Sequence, residues 1–147
     1  MTADAISFFN SFAEAIADGS HDLDNDTFKL QLHTSSYTFD ATDAVKADLS
    51  NEVANGNGYT TGGATLSSVT WAQTSGDAVF DAADVSWTAS GGSIVARSAI
   101  LLNDTHASDA LIGYILLDNS PANVTVTDGN TLTIAWHASN GIFRLTS

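Results

Sequence analysis

The chain has 147 residues, 44% of them hydrophobic, with one proline and no cysteine, and it sets 17 acidic against 4 basic side chains for a formal net charge of -13. That length suits one domain able to bury roughly 70% of its unfolded surface, and the missing cysteines exclude a disulfide framework, a thiolate metal site and a thiol nucleophile. The four cations, Lys29, Lys46, Arg97 and Arg144, are scattered, whereas gripping a nucleic-acid backbone takes a concentrated positive patch, so the charge pattern argues against a nucleic-acid partner.

Residues 4–18, DAISFFNSFAEAIAD, carry apolar side chains at helical spacing: Ile6, Phe9, Ala13 and Ile16 form a stripe with Phe8, Phe12 and Ala15 beside it. Asp4 falls in the first turn, where acids favour the helix dipole, and Gly19 stands where the helix stops. This predicts one amphipathic helix whose phenylalanines pack on a sheet or on a neighbouring subunit. The same segment has no basic residue before its apolar part and is interrupted by acids, so it does not read as a secretion signal. No run approaches the ~18 apolar residues of a membrane span. The expectation is a protein made in a cytoplasm, with no membrane partner.

Asp22, Asp24 and Asp26 are spaced like the start of a calcium loop, but Thr27 and His33 occupy the positions where that loop needs glycine and glutamate. An acidic turn between helix and strand is the expected structure. From Thr27 the apolar period switches to two: TFKLQLHT sets Phe28, Leu30 and Leu32 against Lys29, Gln31 and His33, the pattern of a half-buried strand. The segment 40–53 has room for a helical turn.

The glycine-rich run that follows, GNGYTTGGAT, comes within one residue of the phosphate-cradling pattern G-x-x-x-x-G-K-[ST], with Ala64 in the lysine position. The dinucleotide pattern G-x-G-x-x-G also fails, at Thr61. Both patterns need a helix next, yet TLSSVTW reads as strand. The glycines are expected to serve positive φ angles and close backbone approach at a strand corner.

Beyond it lie the strand candidates SVTWAQ, DAVFDA, DVSWTA, SIVARSAILL (93–102), ALIGYILL (110–117), NVTVT, NTLTIAWH (130–137) and GIFRLTS. Ser75-Gly76, Gly91-Gly92, Asp128-Gly129 and Asn140-Gly141 mark turns between them. One helix followed by many short strands predicts a mainly β single domain over 1–147: an antiparallel sandwich or barrel, jelly-roll-like, over 27–147 behind the helix.

Chemistry-bearing constellations do not converge. His21, His33, His106 and His137 share no metal-ligand spacing, no G-x-S-x-G elbow occurs, and glutamate is present only at Glu14 and Glu52. The reading is of a non-enzyme without cofactor or metal. Trp71, Trp87 and Trp136 sit in strand-like segments, as core anchors or, when exposed, as platforms. Arg97 lies midway along an apolar strand; buried, it calls for a carboxylate partner, and on the polar side of the alternation it faces solvent.

Four pieces in order carry a family resemblance: the N-terminal helix running into DLDNDTFKLQLHTSSYTFD, then NEVANGNGYTTGGATL, then FDAADVSWTASGGSIVAR, and finally TIAWHASNGIFRLT. Together they resemble a family of small structural proteins of tailed-bacteriophage virions. Ser98 departs from that pattern, standing where an aromatic residue is expected after VAR, and the stretch 103–130 diverges. The resemblance implies a virion component made in a bacterial host cytoplasm. The acidity favours the capsid exterior over a DNA-filled interior. The expected role is a decoration (cement) protein on the major capsid protein, working as a homo-oligomer such as a trimer. Its contact residues are expected among Phe8, Phe9, Phe12, Arg97, Trp71 and Trp87. A tail, neck or fibre component that binds a host glycan or protein is the alternative, using exposed tryptophans and the Asp22–Asp26 loop.

Overall fold

The computed structural model describes residues 5–120 and 122–146. It is mainly β, with antiparallel sheets and one helix near the N-terminus. The largest sheet has five strands in the order β1 (Ser7–Phe8), β9 (Ala110–Leu116), β8 (Ser98–Asn103), β2 (Phe28–His33) and β3 (Ala64–Thr65). A second sheet sets β5 (Asp77–Asp81) between β4 (Thr70–Thr74) and β12 (Phe143–Leu145). Two further pairs are β6 (Val85–Thr88) with β11 (Thr131–Ile134) and β7 (Ile94–Ala96) with β10 (Val124–Val126). The sheets pack in a sandwich-like way around a shared core, and they do not close into a barrel.

The helix α1 spans Asn10–Asp18, shorter than the helical spacing predicts. Asp4 lies outside the described residues. Residues Ser7–Phe8 are extended instead and pair with Tyr114 and Gly113 of β9. The sheet edge supplies backbone partners there that a helix would forgo, and the Phe9 N–H continues this by donating to the Ile112 carbonyl at 3.2 Å. Gly19 ends the helix in the left-handed region at φ 83°, as the sequence predicts.

The predicted strand 93–102 is divided at Arg97. Ser98–Asn103 pair with β2 and β9, while Ile94–Ala96 pair with β10. The cause lies in β2, which ends opposite Ser98 at His33; the chain then turns, with the Tyr37 N–H bonded to the Thr34 carbonyl, so residues before Arg97 need another partner. Ser75 (φ 55°) and Gly76 (φ 100°) form the two-residue turn between β4 and β5 that their dipeptide announces.

The five-stranded sheet is covered on both faces. Leu30, Leu32, Ala99, Leu101, Ile112 and Ile115 point into the main core. On the other face Phe9, Tyr37, Ile100, Leu102 and Leu111 form a second apolar layer, packed by Phe39, Leu49 and Tyr114. Tyr37, Phe39 and Leu49 come from the loop between β2 and β3, which contains one 3-10 turn, Lys46–Asp48. The half-buried strand read from TFKLQLHT is therefore buried on both sides, with Gln31 at 1% and His33 at 0% exposure. Burial of His33 is tolerated because its Nδ1–H can donate to the Ser50 carbonyl oxygen at 2.9 Å.

The glycine-rich run does what close packing requires. Gly58 (φ 89°) and Gly63 (φ 79°) are in left-handed backbone, and a Cβ on either would collide with a carbonyl oxygen, of Thr88 and of Leu30 respectively. Gly129 has φ 80° but open space around it. Gly63→Ala is therefore expected to cost about 2–4 kcal/mol and Gly129→Ala only about 1–2 kcal/mol in urea unfolding, because the second substitution carries backbone strain without the clash.

Burial is the main cause that depresses the His33 imidazole below its ordinary 6.5, opposed by the Ser50 carbonyl and Glu52. The folded chain thus keeps His33 neutral while the unfolded chain protonates it. This contribution is full above the unfolded value and is lost as pH falls below it. His33→Gln should flatten the fall in urea midpoint measured between about pH 7 and about pH 5.

Candidate contact surface

Register places three aromatic rings in one row across the three-stranded sheet. Phe80 of β5 stands directly opposite Phe143 of β12 on one side and Trp71 of β4 on the other, so all three share a face. That face looks at the five-stranded sheet, where Phe28 meets Phe80 edge-on at 5.1 Å between ring centroids. Phe143 then gathers the N-terminal segment: its ring lies 5.2 Å from Phe8 and 5.6 Å from Phe12, both edge-to-face. Phe8 and Phe12 stack on each other at 5.2 Å.

The row runs from core to surface. Phe80 is 0% and Phe143 5% exposed, whereas Phe8 is 40% and Leu145 49% exposed. Trp71 and Ile16 are half-buried. Leu145 follows Phe143 by two residues on β12, so alternation puts it on the same face, just past the end of the core. Two depressions flank this ridge. One, of about 410 Å³, lies between the free edges β1 and β12, with Ile6, Phe8, Ile115, Trp136 and Phe143 among its walls. The other, of about 570 Å³, lies between the end of α1, the turn after it, Trp71 and Leu145.

Of the residues singled out from sequence, Phe8, Phe12 and Trp71 are thus brought together around Phe143, with Phe12 buried and in contact with Phe8. Phe9 goes to the opposite side of the sheet. Because residues 7–8 are extended, Phe8 and Phe9 point to opposite faces, and Phe9 is fully buried in the second layer against Phe39. The three phenylalanines do not form one contact face. Trp87, 6% exposed, packs against Tyr59 in the core. Trp136, 8% exposed, donates its indole N–H to the Ala83 carbonyl at 3.2 Å. Arg97 is half-buried; its Nε donates to the Asn123 carboxamide oxygen at 2.9 Å, and its charge helps, after the Ser120 hydrogen bonds, to hold the Asp118 carboxyl below its usual range. Leu145 and Ile16 belong to the surface and are not among the sequence candidates. The alternation in GIFRLTS carries the signal for Leu145, once Phe143 is known to face inward.

Charge around the ridge is set by short-range hydrogen bonds. Asp18 is held below the usual carboxylate range, chiefly by the Ser20 side chain and then by the Ser20 N–H. Asp22 is lowered chiefly by the Asn25 side chain, then by the Asp24 N–H. The acidic stretch after the helix accordingly closes a turn on itself. The His21 imidazole is lowered by burial first and by His106 second, with Nδ1 2.9 Å from the Asn103 side-chain nitrogen. Lys29 pairs with Asp104 at 2.9 Å, Lys46 with Asp109 at 3.1 Å and Arg144 with Asp77 at 3.1 Å. Among the described residues no group of three or more His, Asp or Glu side chains is placed to hold a metal ion.

The chain matches no known protein-family profile, no curated protein and no solved structure.

Trp71 is half-buried whereas Trp87 and Trp136 are buried, so acrylamide should quench mainly the Trp71 emission. Trp71→Phe is expected to lower the Stern–Volmer constant of the remaining fluorescence several-fold, because Trp87 and Trp136 are shielded. Equal quenching of the wild type and the variant would contradict the placement.

Proposed function

We propose that this protein is a non-enzymatic structural component of a tailed-bacteriophage virion. In this reading it is a capsid decoration protein that docks on the outer surface of the major capsid protein shell. The observation that carries the reading is the ridge of Phe8, Trp71 and Leu145. It is an apolar contact surface backed by a packed aromatic row, on a chain whose net charge is -13. Two of the three exposed large apolar side chains among the described residues, Phe8 and Leu145, belong to this ridge, the third being Val95 on β7, and such a surface on a highly charged protein suits contact with another protein. The charge suits the outside of a DNA-filled shell, since phosphates would repel it from the inside. The ordered four-piece sequence likeness supports the same assignment.

The mechanism is linkage. Binding energy realised only on the assembled shell adds to the free energy needed to separate capsomers, by mass action and without turnover. A copy that spans a joint between capsomers opposes their separation under internal pressure.

Quantitative mass spectrometry of purified virions, scaled to the major capsid protein, tests the assignment. Hundreds of copies in a simple ratio are expected; a count of a few to a dozen would place the protein at the neck or tail, and absence from clean particles would end the virion reading. On particles stripped of the protein, Phe8→Ser and Leu145→Ser should each weaken rebinding by roughly tenfold, about 1.4 kcal/mol, since exposed apolar anchors dominate interface energetics. Unchanged affinity would move the contact surface elsewhere.

A further inference from the structure

The depression at the end of α1 combines an apolar floor with fixed negative charge. Its walls include Ile16, Leu23, Trp71 and Leu145, and the turn residues His21 and Asp22. Asp18 precedes Gly19 at its edge, near enough for its charge to act on His21. The Asp18 and Asp22 side chains are exposed, and the local hydrogen bonds described above favour their ionised form. On β12 the cation Arg144 alternates to the other side from Leu145 and is neutralised by Asp77.

We propose that this depression is a socket for a lysine or arginine side chain of a partner protein. The aliphatic stem would lie on Trp71 and Leu145, and the charged end beside Asp22 and Asp18. The proposal rests on the docking role above and names the chemistry of the partner. A cation over an indole face is favoured electrostatically, and long basic side chains bury their stems on apolar surface while keeping the charge wet.

Charge complementarity selects the occupant. A second copy of this chain would bring another formal charge of -13, and its described cations are already engaged: Lys29, Lys46 and Arg144 in ion pairs, and half-buried Arg97 on Asn123. A sugar is also a poorer fit. Asp22 Oδ1 already accepts from the Asp24 N–H, the Asn25 N–H and the Asn25 side chain, each at 3.1 Å, and Oδ2 takes the Asn25 side chain at 3.0 Å. Sugar hydroxyls would compete for those oxygens with nothing further to gain, whereas the carboxylate's charge still attracts an ammonium or guanidinium group.

Titration of the ¹⁵N-labelled 147-residue chain with acetyl-Leu-Arg-Leu-amide, its lysine analogue and its glutamine analogue tests the socket. The Trp71 indole N–H and the Gly19 and Leu145 amides should shift with the arginine and lysine peptides, less so as salt is added, and little with the glutamine peptide. Asp18→Asn, which keeps an acceptor oxygen for Ser20, combined with Trp71→Leu should weaken the response roughly fivefold or more at an unchanged fold, judged from the remaining amide spectrum. Equal shifts with the glutamine peptide, no shift with any peptide, or a response only to a neutral methyl glycoside would each overturn the proposal. The peptide titration reads the socket whatever the copy number in virions, so failure of the virion assignment and failure of the socket are separately visible.

Discussion

The contact between Phe28 and Phe80 joins the two larger sheets, and much of the rest depends on it. Phe28 opens β2 and Phe80 centres the β12-β5-β4 sheet; both are 0% exposed, with ring centroids 5.1 Å apart. Burying two such side chains contributes about 1.5–3 kcal/mol each, and edge-to-face geometry adds about 0.5–1.5 kcal/mol. The positional consequence is larger. With Phe80 seated on Phe28, register forces Phe143 and Trp71 onto the same face, and Phe143 then provides the wall on which Phe8 and Phe12 close. The exposed ridge is the outer end of a column that starts in the core. Its side chains are held by packing, so little order remains to be imposed when a partner arrives.

The other face of the five-stranded sheet shows a different solution to the same problem. A sheet with one apolar face can leave the second to water; here the loop after β2 folds back over it and buries Gln31, His33 and Ser98. The loop satisfies part of their hydrogen bonding through Ser50, and it fixes itself with the Tyr37 hydroxyl on Asp43 at 3.0 Å and the Glu52 carboxylate accepting the Tyr59 hydroxyl at 2.7 Å. Ser98 stands opposite His33 in the register. A small residue there suits a site already filled by the imidazole.

The parts legible in the sequence are those governed by local physics. Strand period, the Ser75-Gly76 turn, the Gly19 stop and the close-packed Gly58 and Gly63 follow from backbone sterics within a few residues, and each is found where the pattern puts it. The failures are tertiary. Helical spacing over Ile6, Phe8 and Phe9 is equally compatible with an edge strand, and the free edge of β9 decided between them. The alternation of β2 says which residues share a face, while the burial of the polar face was settled by how the following loop folds back, from Tyr37 to Ser50, the latter 17 residues on from His33. For the contact surface, the aromatic candidates were visible as residue types; which of them meet depends on the register β12-β5-β4, which no short window contains. Leu145 illustrates the loss, a single leucine near the C-terminus whose role exists only because Phe143 two residues earlier points into the core.

Energetics bound what this surface can do alone. Phe8 and Leu145 are already half covered, so completing their burial yields less than the about 1.5–3 kcal/mol each would give from full exposure. Micromolar affinity takes about 8 kcal/mol in total, after association entropy is met. On the proposed role the ridge would therefore be the anchor of a larger footprint, with charge supplying orientation and encounter rate: the described cations are engaged within the chain, and the surplus carboxylates would steer toward a partner of opposite sign. On the proposed capsid role, such modest sites become durable through repetition. Neighbouring copies on a shell present many identical sites at fixed spacing, and a bridging copy that releases one contact is held by the next at high effective concentration. A small acidic protein with one rigid apolar ridge is sufficient for that task when the lattice beneath supplies the multiplicity.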